Sequence, residues 1–190
     1  MIHLPKLILA SGSPRRAEIL TSVGWQFEKH VADINEDMRD GETPRDYVVR
    51  LALEKADAVA KLYPGQWVVG ADTTVVINDG TLGKPVDLDD ARAMLRALSG
   101  NWHEVLTGIA IAKDGYACSD IQCTRVKFAH MTDDEIEYLT LHGDPLDKAG
   151  AYAIQGYASR FVTRIDGSHS NVVGLPIALV YQMLKGLTTL

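Results

Sequence analysis

The sequence predicts an α/β fold built on a mixed sheet. Apolar runs of strand length occur at residues 7–10 and 67–77, and segments with capping residues and helical periodicity occur at 14–23 and 44–62. Strands and helices do not alternate strictly, and Asn-Asp-Gly at 78–80 indicates a hairpin. Because hairpins join antiparallel strands, we expect a mixed sheet rather than a purely parallel one.

The first strand and two helices are predicted by clear start and stop residues. The run LILA (7–10) is typical of a buried strand. Each of the two following helices begins with an N-cap hydroxyl and a proline, whose fixed φ suits the first helical position. Each ends close to a glycine. These residues are Ser13, Pro14 and Gly24 for the first helix, and Thr43, Pro44 and Pro64–Gly65 for the second.

The later elements follow from turn and capping signals. The strand 67–77 turns through 78–80 into Thr81 and Leu82, and residues 105–131 are typical of two or three strands around a Lys-Asp-Gly turn. Three further helices are predicted, starting at the Asp87–Asp90 capping pair, at the Thr132–Glu135 capping box and near Pro176. No linker or repeat divides the 190 residues, so one domain is expected.

Composition and charge exclude several classes of protein. Hydrophobic residues at 46% and charged residues at 23% are typical of a soluble globular protein, and no apolar run is long enough to span a membrane. A net charge of -6 argues against general binding to nucleic acid, which needs a basic face. Cys118 and Cys123 are too few for a disulfide framework and lack the neighbours of a zinc site. We therefore expect reduced thiols in a cytoplasmic protein.

Asp72 is a carboxylate in a strand that otherwise has the composition of a buried one. Aspartate is poor in strands and costly in a protein interior unless it is hydrogen-bonded or bound to metal. Gly70, two residues earlier, suits a close approach by backbone or ligand. Two interpretations stay open here: a structural carboxylate held by backbone amides at a bulge, or a functional group at a site.

Lys55 lies on the apolar stripe of the second predicted helix, together with Val48, Ala52 and Val59. A lysine on the inward face is costly unless its ammonium is paired or reaches water. It either packs only its stem and extends its ammonium into solvent, or has a charged partner inside.

Cations and carboxylates recur in short motifs along the chain. The turn SGSPRR (11–16) places two arginines at the start of a helix, where backbone amides suit a phosphate. Arginine forks onto phosphoryl oxygens, and carboxylates hold magnesium or activate water. The set predicts metal-assisted chemistry on phosphates. Its cations are Arg15, Arg16, Lys55, Lys84 and Lys148, and its acids are Glu36 and Asp72.

Several segments resemble one known family in both order and spacing. They are LILASGSPRRAEIL (7–20), EKA (54–56), GADT (70–73), GKP (83–85), LSG (98–100), DKAGAYAIQG (147–156) and NVVGLP (171–176). Over residues 7 to about 184 the chain is similar to the Maf family of nucleoside triphosphate pyrophosphatases.

The resemblance implies a fold, a reaction and partners. The fold is a Maf/ITPase-like mixed, elongated sheet with helices, and residues 1–190 form one domain with two lobes around a central cleft. The reaction is hydrolysis between the α and β phosphates, which gives a nucleoside monophosphate and pyrophosphate with the help of Mg²⁺ or Mn²⁺. A homodimer is implied, with no nucleic acid or membrane partner.

The resemblance also implies roles for individual residues. Asp72 matches the family's catalytic acid, which accepts a proton from water, and Glu36 in ADINED matches the second acid of the metal site. The local pattern alone does not distinguish Glu36 from Asp33 or Asp37. The residues that match the family's phosphate-binding positions are Ser13, Arg15, Arg16, Lys55 and Lys84.

Three positions set the nucleotide preference in the family, and they correspond here to Arg15, Thr73 and Gln155. A branch that prefers 7-methyl-GTP carries Trp, Gln and Glu there, which suit a cationic purine. The neutral amide of Gln155 both donates and accepts, which matches the edge of uracil or thymine. The set resembles the dTTP/UTP branch, with non-canonical pyrimidine nucleotides as further substrates. The alternatives are a pyrophosphatase for 7-methyl-GTP or other modified nucleotides, and a nucleotide-binding regulator of cell division without turnover.

Overall fold

The structure, a computed structural model, describes residues 4–188. These residues form seven strands and six α-helices, with three short 3-10 turns between α4 and β7. In chain order the elements are β1 (Leu7–Ala10), α1 (Pro14–Ser22), β2 (Phe27–Lys29), α2 (Pro44–Ala60), β3 (Trp67–Ile77), β4 (Gly80–Leu82), α3 (Leu88–Leu98), β5 (Trp102–Lys113), β6 (Tyr116–Phe128), α4 (Asp133–His142), β7 (Val162–Asp166), α5 (His169–Val173) and α6 (Ile177–Thr188).

The strands form one mixed sheet in the order β2-β1-β3-β5-β6-β7, with β4 paired to β3. β1 runs parallel to both of its neighbours, with Leu7 in register with Phe27 of β2 and with Trp67 of β3. β4 is antiparallel to β3, and β7 is antiparallel to β6. The prediction of a mixed α/β sheet is therefore confirmed.

The predicted capping hydrogen bonds are made by Thr43, Asp87 and Thr132, whereas the side chain of Ser13 makes none, so the capping bond predicted there is wrong. Asp87 accepts a hydrogen bond from the backbone N–H of Asp90 at 2.8 Å, and Thr132 and Glu135 complete both bonds of a capping box. Three elements, β2, β7 and α5, were not predicted from the sequence. β2 has three residues and α5 has five, which is too short for periodicity to detect. β7 is an edge strand with little buried surface, so its residues do not alternate between apolar and polar.

Helix α2 packs against the sheet through two glycines. A Cβ at Gly70 in β3 would lie 2.2 Å from the carbonyl oxygen of Ala52, and one at Gly108 in β5 would lie 2.3 Å from that of Val48. Only glycine allows this approach of helix backbone to strand backbone. The close approach predicted at Gly70 is therefore made by the backbone of α2.

The chain divides into two units. The first contains residues 1–72, 107–122 and 174–190, and the second contains 73–106 and 123–173. The two-lobed domain with a central cleft stays a prediction. Within the described residues, no helix combines the length and apolar character that crossing a bilayer requires.

The core of the first unit lies where β1, β3 and β5 meet α2. Small side chains on the helix let it lie close to the strands. The buried cluster consists of Ile8, Ala10, Ala52, Ala56, Val59, Val68, Ala110 and Ala112.

An aromatic cluster with a buried histidine lies in the core of the second unit. His103 makes edge-to-face contacts with Phe128 and Tyr152, at centroid distances of 5.0 and 5.5 Å. Its Nε2 lies 2.7 Å from the Tyr152 hydroxyl, while its Nδ1 has no hydrogen-bond partner among the described residues. Burial lowers the pKa of His103 to about 4.

This histidine makes stability depend on pH. The unfolded chain has the ordinary histidine pKa near 6.5, so between pH 6.5 and 4 it binds more protons than the folded protein does. We expect folding stability to fall by about 3 kcal/mol as the pH drops through this range. Urea unfolding of the wild type and of His103→Gln at several pH values measures the effect. Parallel pH profiles for the two proteins would contradict it.

Candidate active site

The turn between β1 and α1 presents a helix start and several polar groups. Ser13 is the N-cap of α1, but its side chain makes no capping hydrogen bond. The Ser11 hydroxyl oxygen instead accepts from the backbone N–H of Ser13 at 3.2 Å. Since Ser13 does not cap the helix, the positive end of the α1 dipole has no side-chain acceptor from this residue. An anion is favoured at such a helix start.

Arg16 is buried at the base of this turn, with 8% of its surface exposed. Its Nη1 donates to Ser11 Oγ at 2.8 Å and to the carbonyl of Ala71 at 2.9 Å, and its Nε donates to the carbonyl of Gly174 at 2.8 Å. Burial lowers the pKa of Arg16, while the negative charges of Asp72 and Glu36 oppose that shift. The guanidinium thus stabilises the turn and adds positive charge beside the two carboxylates.

Lys55 forms ion pairs with both candidate acids. Its Nζ lies 2.7 Å from Asp72 Oδ1 and 2.9 Å from Glu36 Oε1. The side chains of Lys55 and Asp72 are 8% and 11% exposed, whereas that of Glu36 is 48% exposed. The question about Lys55 is answered here, and the main-chain alternative for Asp72 is removed, while a functional role for Asp72 stays a prediction. Lys55 has internal partners rather than a solvated ammonium, and the hydrogen-bond partner of Asp72 is Lys55 rather than its own main chain.

The geometry distinguishes Glu36 from its acidic neighbours. Among the described contacts, the carboxylate of Glu36 pairs with Lys55. Asp37, in contrast, contributes backbone groups, since its N–H donates to Asn35 Oδ1 and its carbonyl accepts from Arg50. Glu36 is therefore the acid of this segment that lies at the cluster.

Two residues at the site were not predicted from the sequence. The Tyr47 hydroxyl donates to the carbonyl of Glu36 at 3.0 Å. Burial and the charges of Asp72 and Glu36 raise the pKa of Tyr47 to about 12, so its hydroxyl stays protonated near neutral pH. Arg50 donates to the carbonyl of Asp37 at 3.0 Å. The available signal was the spacing of Tyr47, which lies eight residues before Lys55 and three before Arg50 on the same helix, because residues at such spacings lie near one helix face.

Glu36 and Asp72 are also candidate metal ligands. Within residues 4–188, no three His, Cys, Asp or Glu side chains form a metal-binding cluster by themselves. Mg²⁺, however, keeps several waters and usually needs one or two carboxylates together with substrate phosphates. Glu36 and Asp72 supply two hard oxygen donors that already converge on one cation, the Lys55 ammonium. This donor set fits a divalent metal that is completed by substrate oxygens.

The remaining predicted site residues are distributed over both units. Arg15 lies on α1, partly exposed, in the first unit with Ser13, Arg16, Glu36, Lys55 and Asp72. Thr73, Lys84 and Gln155 belong to the second unit, where Lys84 and Gln155 are exposed. Lys148 is buried and forms ion pairs with Asp144 and Asp147, as a structural cation would.

Comparisons with known proteins found matches over nearly the whole chain. The family model described as "Maf-like protein" matches residues 6–187. A dTTP/UTP pyrophosphatase of Anaeromyxobacter dehalogenans is 50% identical over 185 residues, which cover 95% of this chain and 93% of that protein. One from Hahella chejuensis is 49% identical over 183 residues, which cover 95% of this chain and 91% of that protein.

A solved structure supports the fold. A HAM1 protein from Coxiella burnetii matches with a TM-score of 0.56 over 98% of this chain and all (100%) of that one. At 19% identity this likeness concerns the fold alone.

Proposed function

The chain belongs to the Maf family, and from this premise we propose that it is a nucleoside triphosphate pyrophosphatase that acts on dTTP and UTP. Water attacks the α-phosphorus, the bond to the bridging oxygen of the β-phosphate breaks, and pyrophosphate leaves. Relatives about half identical over nearly the whole chain carry the name dTTP/UTP pyrophosphatase. The single observation that carries the proposal is the pairing of Lys55 with Asp72 and Glu36 in the unit that contains the α1 helix start.

Asp72 acts as the general base. Its carboxylate is nearly buried, so few solvent molecules compete with it to orient the attacking water. It accepts the proton of the attacking water at a carboxylate oxygen. Lys55 donates to the same carboxylate and neutralises negative charge that develops on the phosphates.

The helix start and the arginines bind the phosphate chain. Backbone amides at the N-terminus of α1 attract phosphate oxygens, and Ser13 and Arg15 add donors from the same turn. Arg16 stabilises this turn through its hydrogen bonds to Ser11 and Ala71 and contributes positive charge. Lys84 is proposed as a further phosphate-binding cation.

We also propose a divalent metal, Mg²⁺ or Mn²⁺, held by Glu36 and Asp72. When bound, such an ion supplies Lewis-acid stabilisation of phosphate oxygens. Lys55 balances the two carboxylates when the metal is not there, since its ammonium already lies within 2.9 Å of both.

Nucleotide choice is assigned to Arg15, Thr73 and Gln155. The amide of Gln155 pairs with the alternating donor and acceptor edge of uracil or thymine. The protein is proposed to act as a cytoplasmic homodimer. Cys118 and Cys123 form no disulfide, which supports a reducing compartment. Sedimentation velocity tests the dimer.

Pyrophosphate release from a panel of nucleotides tests the function. With Mg²⁺ or Mn²⁺, we expect kcat/KM for dTTP and UTP to exceed that for CTP and 7-methyl-GTP. Preference for 7-methyl-GTP would overturn the pyrimidine assignment. Binding of dTTP without pyrophosphate release would overturn the enzymatic function and support a nucleotide-binding regulator instead.

A further inference from the structure

The proposed metal ligand Glu36 lies on a segment without regular structure. Between the end of β2 at Lys29 and the start of α2 at Pro44, the chain forms no helix or strand. We call residues 31–42 the Glu36 segment. Since no helix or sheet ladder holds this backbone, its position depends on side-chain contacts.

Arg50 forms the main contact between α2 and the Glu36 segment. Its Nε and Nη2 donate to the two carboxylate oxygens of Glu42 at 2.6 and 2.8 Å, which is a bidentate pair. The side chains of Arg50 and Glu42 are only 13% and 8% exposed. Hydrogen bonds from Arg50 lower the pKa of Glu42 to about 2, so the pair stays ionised throughout the physiological range.

The same guanidinium also holds the backbone next to Glu36. Nη2 of Arg50 donates to the carbonyl of Asp37 at 3.0 Å, while Nη1 donates to Glu54 Oε2 at 3.2 Å. Glu54 in turn accepts from Arg39 at 2.8 Å. Arg50 therefore fixes the segment at Asp37 and Glu42, on the C-terminal side of Glu36.

Tyr47 adds a contact at Glu36 itself. Its hydroxyl donates to the Glu36 carbonyl at 3.0 Å, and the Glu36 carboxylate pairs with Lys55. Tyr47 and Lys55 lie about two turns apart on one face of α2. One helix thus holds the backbone and the carboxylate of Glu36 and also supplies the lysine that pairs with Asp72.

We propose that Arg50, through its bidentate pair with Glu42, and Tyr47 are positioning residues that set Glu36 in place for the divalent metal. The inference rests on the proposed function. Neither residue touches the reacting atoms. Their effect is on the metal, because groups that orient a metal ligand commonly contribute 10- to 100-fold to metal affinity or activity.

Arg50→Lys tests the role of the bidentate pair. Lysine keeps the charge but cannot donate two parallel bonds to Glu42. We expect the Mn²⁺ concentration that gives half-maximal dTTP hydrolysis to rise about 10-fold, with kcat largely recovered at saturating metal. Tyr47→Phe removes one hydroxyl and is expected to shift it in the same direction by a smaller factor. Electron paramagnetic resonance of free and bound Mn²⁺, with an α,β-imido analogue of dTTP, measures the same affinity without turnover.

The chain offers a matched control in Arg92. Its Nε and Nη2 donate to Glu137 at 2.6 and 2.9 Å, and its Nη1 donates to Asp89 at 2.7 Å, so it repeats the Arg50 arrangement between α3 and α4. We expect Arg92→Lys to leave the Mn²⁺ dependence unchanged. Because the Arg92 pair is more exposed than the Arg50 pair, thermal unfolding of both variants measures any difference in stability.

The outcomes separate this inference from the proposed function. Wild-type hydrolysis of dTTP combined with an unchanged Mn²⁺ dependence in both Arg50→Lys and Tyr47→Phe would overturn the positioning role alone. No hydrolysis by the wild type would overturn the proposed function, and the resonance measurement would still test whether Arg50 and Tyr47 set Mn²⁺ affinity. If Arg50→Lys does not fold, the Tyr47→Phe result decides.

Discussion

Asp72→Asn is expected to lower kcat for dTTP hydrolysis by about 1,000-fold, within the range by which general bases contribute to catalysis. Asparagine keeps the shape of the side chain but cannot accept a proton from water. The fold should persist, because Lys55 keeps Glu36 as an ionic partner at 2.9 Å. Pyrophosphate release with Mg²⁺ measures the rate, and thermal unfolding verifies the fold.

Asp57→Asn is the control for this substitution. Asp57 lies on the same helix as Lys55, and its exposed carboxylate pairs with Lys61, so the same chemical change is made away from the cluster. We expect its activity to match the wild type, because Asp57 lies away from the cluster and the loss of an exposed ion pair changes stability little. If Asp72→Asn also retained wild-type turnover while folded, Asp72 would not be the base.

Gly70→Ala is expected to destabilise the protein by about 3 kcal/mol and to reduce activity with it. The added methyl group would lie 2.2 Å from the Ala52 carbonyl oxygen and 2.8 Å from the Ala56 nitrogen, and both are backbone atoms that cannot rotate away. The strain can be relieved only if α2 moves away from β3. That movement separates Lys55 on the helix from Asp72 on the strand. Urea unfolding and dTTP hydrolysis measure the two effects.

Gly186→Ala provides the opposite case. Gly186 lies in α6, and apart from the helix's own backbone no atom of residues 4–188 lies within 4 Å of a Cβ added there, so alanine should leave stability unchanged or raise it by up to about 1 kcal/mol. Equal stability of the two variants would show that the approach at Gly70 is not a tight contact.

The sequence predicted most of the fold because its signals are local. The strand at 67–77, the capping box at Thr132 and the hairpin at 78–80 each depend on neighbouring residues, and all three are present. Asp72 and Lys55 were also found from pattern, since a charge in an apolar stripe needs a partner. The structure shows that each is the other's partner.

The remainder of the candidate site depends on contacts that no local pattern encodes. The segment around Glu36 has no periodicity, so only the ion pair with Lys55 distinguishes this acid from Asp33 and Asp37. Ser11 ends an apolar run without a signal of its own, yet its hydroxyl binds Arg16. The roles of Thr73, Lys84 and Gln155 depend on family resemblance and stay predictions.

The hydrogen bond from Arg16 to Gly174 has a consequence for how the protein is made. The donor leaves the ribosome 158 residues before the acceptor does. Until Gly174 is made, the Arg16 guanidinium lacks the carbonyl oxygen that accepts from its Nε in the folded protein. Contacts between residues far apart in sequence also form slowly. Nascent chains that have not reached Gly174 therefore do not yet hold this hydrogen bond, and the turn between β1 and α1 is completed only after Gly174 has been synthesised.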